Sequence, residues 1–150
     1  MCERANEDAM THGRPASSLG TVTGLTAEEW RVARIAHANL LLIASDGSAE
    51  KIVDALGPDL CEPIEVWHPG CRLILPPMGS TGTLILQDIG AMPRDDQRRL
   101  HEWFEVTDGR TRVVSSSRQP LFPLLEVGTF AEALYYRLNV LCFRVIECDS

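Results

Sequence analysis

The chain has 150 residues, 45% hydrophobic and 23% charged, with a formal net charge of −7 from 14 basic and 21 acidic residues. That length fits one domain with a single core of several strands and helices. The acidic balance argues against direct contact with nucleic acid, whose binders gain affinity by neutralising phosphates. No apolar run approaches the roughly 18 residues that span a bilayer, so no membrane contact is expected.

The first residues carry no signal-peptide pattern, and a cytoplasmic location is the expectation. Five cysteines at irregular spacing, Cys2, Cys61, Cys71, Cys142 and Cys148, form no disulfide framework and read as buried or free thiols. Cys61, His68 and Cys71 could be written as zinc ligands, but no paired C-x-x-C spacing supports that, and metal binding is not expected.

Residues 1–24 are polar, rich in Gly, Ser and Thr, and without periodicity. They read as a disordered tail, which leaves residues 25–150 for the folded domain. A helix is expected from Thr26, whose hydroxyl and the Glu29 carboxylate three residues on form a capping box. Trp30, Ala33 and His37 make one stripe and Val32, Ile35 and Ala36 another, so this helix is expected to be well buried. His37 reads as a packed or hydrated helix-end residue, because no acid or nucleophile is spaced to work with it.

Residues 39–44 (Asn-Leu-Leu-Leu-Ile-Ala) read as a buried parallel strand, followed by the turn Ser45-Asp46-Gly47-Ser48 and a helix over 49–56 that Gly57 and Pro58 end. Strand, turn, helix is the frame of a phosphate-binding loop. Residues 63–67 and 72–75 predict two short strands. Next comes an apolar run bounded by glycines, Gly82-Thr83-Leu84-Ile85-Leu86-Gln87-Asp88-Ile89-Gly90, which suits a strand buried on both faces. In an open parallel sheet, working groups sit at the carboxyl ends of strands, which here means Gln87 and Asp88.

Pro93 then opens a helix to about residue 106, with Leu100, Trp103 and Phe104 at helical spacing. Arg94, Arg98 and Arg99 lie among Asp95, Asp96 and Glu102, the mixed pattern of a solvated helix face. Thr107-Asp108-Gly109 predicts a turn, residues 110–115 a strand, 120–126 and 130–136 short helices, and 140–146 a final strand. The fold class is therefore α/β: a three-layer α/β/α sandwich on a parallel five-stranded sheet.

Two stretches also carry a family resemblance. Gly82 to Pro93, with Gln97 and Leu100, resembles the Walker B strand and following helix of the sigma-54-dependent transcription activators, a branch of the AAA+ ATPases with the pattern GTLFLDEIxxxPxxxQxxLL. Phe130-Ala131-Glu132-Ala133-Leu134-Tyr135-Tyr136-Arg137-Leu138-Asn139-Val140 resembles that family's FREDLYYRLNV, in the right order and at the right distance. The resemblance implies a P-loop NTPase type of sheet. Only four residues follow the last predicted strand, so the family's helical lid, with its second sensor, is expected to be absent.

Set against the family's GExGTGKE loop, Ser45, Ser48 and Glu50 take the glycine positions, and Asp46, Gly47 and Ala49 stand between them. Lys51 takes the lysine position and Ile52 the usual magnesium-side position. Gln87 stands for the acidic residue that holds magnesium through water, and Asp88 for the glutamate that orients the attacking water. Ser115-Ser116-Ser117-Arg118 stands where the family has its sensor, AATN; the family's GAFTGA loop has no counterpart before Gly82. Of two arginines used between subunits, the first position is Ala131 and the second is Arg137.

A cradle needs glycines to let amides converge on phosphate, a lysine, and a magnesium ligand; here the lysine alone remains. The resemblance thus implies a non-hydrolysing relative of the activator core, with no required cofactor, acting through protein contacts with an AAA+ activator or with itself, as a monomer or weak dimer. The alternative is a nucleotide-binding or slow ATPase module that keeps Lys51, Asp88 and Arg137. Each of these residues also has a structural reading: Lys51 as a solvated helix residue, Asp88 as a carboxylate capping the next turn, Arg137 as a tie to its own helix or to Glu132.

Overall fold

The computed structural model describes residues 25–44, 47–107 and 109–145. The tail over 1–24, Ser45, Asp46, Asp108 and residues 146–150 lie outside the described residues. Among the described residues the elements are, in order, α1 (Ala27–Ile35), β1 (Leu40–Ile43), α2 (Ser48–Leu56), a 3-10 turn (Gly57–Asp59), β2 (Ile64–Trp67), β3 (Thr83–Leu86), a second 3-10 turn (Ile89–Ala91), α3 (Arg94–Val106), β4 (Arg112–Ser117), α4 (Phe122–Glu126), α5 (Glu132–Leu138) and β5 (Leu141–Arg144). All strand pairs are parallel, in the order β2-β3-β4-β1-β5.

Alternate side chains of each strand point to opposite faces, so the sheet separates two apolar layers. Leu41, Leu84, Leu86 and Val113 pack with Leu100, Trp103 and Phe104 of α3 and with Leu134 and Leu138 of α5. Leu40, Leu42, Ile85 and Val114 pack on the other face with Trp30 and Ala33 of α1 and Ile52, Val53 and Leu56 of α2. A continuous aliphatic run such as Leu40-Leu41-Leu42 is what two covered faces require.

The capping box forms: Glu29 N–H donates to Thr26 Oγ1 at 3.0 Å, and Thr26 N–H donates to Glu29 Oε1 at 3.1 Å. The second stripe expected on α1 is not buried. Ile35 is 66% exposed, and His37 lies beyond the helix, which ends where Ala36 turns extended. A nine-residue helix lying on one face of a sheet covers a single stripe.

Residues 72–75 alternate as a strand does, with Leu73 buried and Ile74 exposed, but pair with no ladder. Indole nitrogens hold this segment instead, Trp67 Nε1 donating to Cys71 O at 3.0 Å and Trp103 Nε1 to Pro76 O at 2.9 Å. Cys61, Cys71 and Cys142 are free thiols, and all three are exposed rather than buried. The strand expected over 110–115 starts two residues later and carries Ser115, Ser116 and Ser117 inside the sheet, all buried.

Two polar groups tie the amino end of β4 to the chain entering β1. Asn39 Oδ1 accepts from Val113 N–H at 2.9 Å, and Arg112 Nε donates to Ala38 O at 2.8 Å. Arg112 is only 5% exposed and its Nη2 has no partner. Burial lowers the pKa of its guanidinium from the ordinary arginine value, with the Cys61 charge opposing.

Gln97 fastens the connection between α4 and α5 onto α3. Its Nε2 donates to Met92 O at 2.9 Å and to Thr129 O at 3.1 Å, while its Oε1 accepts from Ala131 N–H at 2.9 Å. Because Gln97 is 2% exposed, Gln97→Leu strands those main-chain groups away from water. We expect a loss of about 2–4 kcal/mol, read from urea unfolding. An unchanged midpoint would count against this arrangement.

Candidate functional site at the carboxyl ends of β1, β3 and β4

The strand order sets β4 between β1 and β3, so the segments leaving all three strands share one edge of the sheet. Serines of β4 fasten that edge together. Ser117 O accepts from Ala44 N–H, just past β1, at 2.9 Å, and Ser116 Oγ accepts from Asp88 N–H, just past β3, at 3.1 Å. Neither role was readable from the serine run alone.

After β1 the described chain resumes at Gly47, the N-cap of α2, which makes no side-chain cap. Ala49 is buried and Lys51 exposed. Ile52 has 0% exposure and belongs to the apolar layer under α1 and α2. Ser48 and Glu50 are half-buried. Glu50 Oε1 is buried without a hydrogen bond, and a β-carbon on Gly47 would lie 3.9 Å from it. The carboxylate therefore turns back over the start of α2, where the helix dipole favours negative charge.

At the end of β3, Gln87 is half-buried and its N–H donates to Trp67 O at 2.9 Å. Asp88 sits at φ 53 and ψ 54, the one positive φ outside glycine among the described residues. Its carboxylate makes no cap, contrary to expectation. The turn is closed by the main chain, Ala91 N–H donating to Asp88 O at 3.0 Å, with Asp88 in the left-handed backbone that Asp tolerates. Such a conformation costs on the order of 1 kcal/mol and is held here by the Ser116 bond. Pro93 becomes the N-cap of α3 rather than its first residue, since the 3-10 turn intervenes. Arg118 follows β4 and is exposed.

Arg137 is not at this edge. It lies near the end of α5, which leads into the start of β5, and so it belongs to the opposite rim of the sheet. Its guanidinium donates to Glu105 Oε2 at 2.9 Å and to Phe104 O at 3.2 Å, and stands 5.9 Å from the Phe104 ring centre. The carboxylate partner is thus Glu105 of α3, not Glu132. A cavity of about 340 Å³ beside it is lined by His37, Asn39, Phe104, Thr111 and Tyr136.

The family model described as the sigma-54 interaction domain matches residues 26–147. This chain belongs to that family. Among relatives of the sigma-54 interaction domain, the DNA-binding transcriptional regulator NtrC of Bradyrhizobium sp. (strain RP501 Parasponia) is 39% identical over 75 residues, 43% of this chain and 16% of NtrC. The nitrogen fixation protein VnfA of Azotobacter vinelandii is 37% identical over 70 residues, covering 39% of this chain and 13% of VnfA. The match thus spans less than a fifth of the length of these curated relatives.

Solved structures agree on the fold. NtrX from Brucella abortus in complex with ATP superposes with a TM-score of 0.63 at 21% identity, over 87% of this chain and 36% of NtrX. The P-loop NTPase domain of the sigma-54 transport activator from E. coli superposes with a TM-score of 0.55 at 13% identity, over 81% of this chain and 92% of that domain. The chain is therefore a relative of the sigma-54 activator AAA+ domain with the P-loop NTPase fold. Among the described residues, no helix is long and apolar enough to cross a membrane, and no group of three or more His, Cys, Asp or Glu could hold a metal ion. Cys61, His68 and Cys71 form no such group.

Proposed function

We propose that this sigma-54 interaction domain hydrolyses no nucleotide and works in the cytoplasm through protein contacts, with an AAA+ activator or with itself, in transcriptional regulation. The burial of Ile52 carries this reading: where the family places its magnesium-side residue, this chain commits an aliphatic side chain to the core, at 0% exposure. A second group points the same way. The unpaired Glu50 carboxylate oxygen at the start of α2 sets negative charge where a phosphate would need amides. Neutral Gln87 supplies no compensating ligand for a cation. The residues present therefore do not fit a magnesium nucleotide.

Phosphoryl transfer rests on positioning and charge stabilisation, so losing both magnesium-side groups removes most of the machinery. The ATP complex of NtrX favours the second reading, a nucleotide-binding module retaining Lys51, Asp88 and Arg137. Arg137 faces the rim opposite Asp88, so any action on nucleotide would be on that of a neighbouring subunit.

Purified protein is expected to release no phosphate from ATP above buffer in the presence of magnesium, and to sediment as a monomer or dimer at micromolar concentration. Turnover that Lys51→Ala abolishes, or a stable ring without nucleotide, would overturn the proposal.

A further inference from the structure

The sheet has β2 at one edge and β5 at the other. On β2 the bonds to β3 run through Pro63 O, which accepts from Thr83 N–H, and Trp67 O, which accepts from Gln87 N–H, both at 2.9 Å. Alternate residues of a parallel ladder bond to the same side, so the main-chain groups of Ile64 and Val66 face outward. On β5, Leu141 N–H donates to Asn39 O at 3.0 Å and Val145 N–H to Ile43 O at 2.8 Å, which turns the groups of Cys142 and Arg144 outward. Among the described residues, no main-chain bond takes up any of these four.

The side chains along the two edges are complementary. Trp67 packs in the layer of α3 and α5, so by alternation Glu65 shares that face. Ile64 and Val66, 36% and 51% exposed, stand on the other face. Phe143 and Val145 of the β5 edge pack at the margin of the α1 and α2 layer, which leaves the exposed Arg144 on the same face as Glu65. One edge is thus apolar, acidic, apolar, and the other apolar, basic, apolar, in the same orientation. Neither Glu65 nor Arg144 makes a side-chain hydrogen bond or ion pair among the described residues.

We propose that the β2 edge of one copy pairs in parallel with the β5 edge of a second copy of this chain, Ile64, Glu65 and Val66 standing opposite Phe143, Arg144 and Val145. Every strand pair in the sheet is parallel, so the seam joins two sheets into one with their helical layers on matching sides. Three main-chain bonds close it between the copies: Ile64 N–H to Cys142 O, Arg144 N–H to Ile64 O, and Val66 N–H to Arg144 O. Glu65 then faces Arg144 across the seam, and this opposite charge fixes the register. Pairing of β2 with itself is opposed, because an antiparallel match of Ile64 with Val66 sets Glu65 against Glu65. The contact is head to tail and leaves a free edge at each end, so it propagates instead of stopping at a closed dimer. Such short edges make a small interface, which puts the dissociation constant at about 0.1–1 mM and leaves a monomer at low micromolar concentration. The proposal rests on the reading that the chain works through contacts with itself. Nucleotide has no part in it, so the phosphate-release assay and the test below can fail separately.

The test is sedimentation equilibrium of the full chain from about 10 µM to about 1 mM. The weight-average mass is expected to rise roughly two-fold or more above the monomer's across that range. Glu65→Arg alone and Arg144→Glu alone each set like charges across the seam and should stay monomeric throughout. An equimolar mixture of the two variants restores opposite charges at both kinds of seam, and its mass should rise again. Val66→Pro removes an outward N–H that no strand of the same copy uses, and should also stay monomeric. A wild-type chain that remains monomeric at about 1 mM, single variants that associate as it does, or a mixture that stays monomeric would each overturn the proposal. The wild-type series and the mixture decide it even if Val66→Pro folds poorly.

Discussion

Gly82→Ala is expected to be the most damaging single-methyl change in the sheet. A β-carbon there would stand 2.0 Å from Pro63 O, 2.9 Å from Pro63 N and 3.0 Å from Pro63 C, all main-chain atoms with no rotamer to change. Nor can the backbone step aside. Pro63 O accepts from Thr83 N–H at 2.9 Å, Gly82 O accepts from Arg112 N–H at 3.1 Å, and Thr83 Oγ1 donates to Cys61 O at 2.9 Å. Relieving the clash means parting β2 from β3 at the start of their ladder. We expect a loss of at least about 3–4 kcal/mol, a large share of the ~5–15 kcal/mol that holds a domain. In a thermal melt this corresponds to roughly 10 °C or more. Gly79→Ala is the control: its φ is +81, but nothing lies within 4 Å of the added carbon, so only the left-handed preference, about 1–2 kcal/mol, is lost. Melting temperatures that match for the two variants would sink the argument.

What could be read beforehand follows the range of the interaction that decides each element. Leu84-Ile85-Leu86 reads as a doubly covered strand because the signal lies within the run itself, and Thr26 with Glu29 reads as a helix start because the bond spans three residues. Ser115, Ser116 and Ser117 have weak strand preference, and pairing with Leu41, Leu42 and Ile43 on one side, and of Ser115 with Leu86 on the other, keeps them in the sheet. Residues 72–75 look like a strand for the opposite reason: alternation reports one buried face, and says nothing about whether a neighbouring strand is there to pair. The site shows the same division. Its position past β1 and β3 was legible, but the backbone turn at Asp88 and the bond from Ser116 were not, since they depend on a strand 28 residues away. Arg137 meets Glu105 from 32 residues distant, which no local spacing predicts, whereas Glu132 was merely near in sequence.

Changing Ser45, Ser48 and Glu50 to Gly is expected to give the chain measurable ATP binding that the parent lacks under the proposed reading. The family resemblance puts these residues at the glycine positions of the loop, and the structure adds a physical obstacle at one of them. Glu50 holds a carboxylate oxygen, buried and unpaired, over the start of α2. A unit charge about 6–8 Å from a phosphate, at an effective dielectric near 20, opposes binding by roughly 2–3 kcal/mol, on the order of 30- to 150-fold. Removing it frees the helix N-terminus, whose amides suit an anion. Glu50→Gln isolates the charge, since it keeps the side chain's size, and should recover part of the gain. Extra glycines at a helix start cost up to ~1 kcal/mol each, so the variant should melt lower yet stay folded by circular dichroism. Ile52 is best left in place at first. With 0% exposure in the apolar layer, Ile52→Thr would bury a hydroxyl among Leu40, Val53 and Leu56 at a cost of about 1–3 kcal/mol, confounding loss of fold with loss of binding. Calorimetry with ATP is the measurement: heat of binding in the triple-glycine variant and none in the parent is the expected pair. A folded variant that stays silent at millimolar ATP would mean that the chain between β1 and α2 does not follow the path of a phosphate cradle, whatever residues it carries.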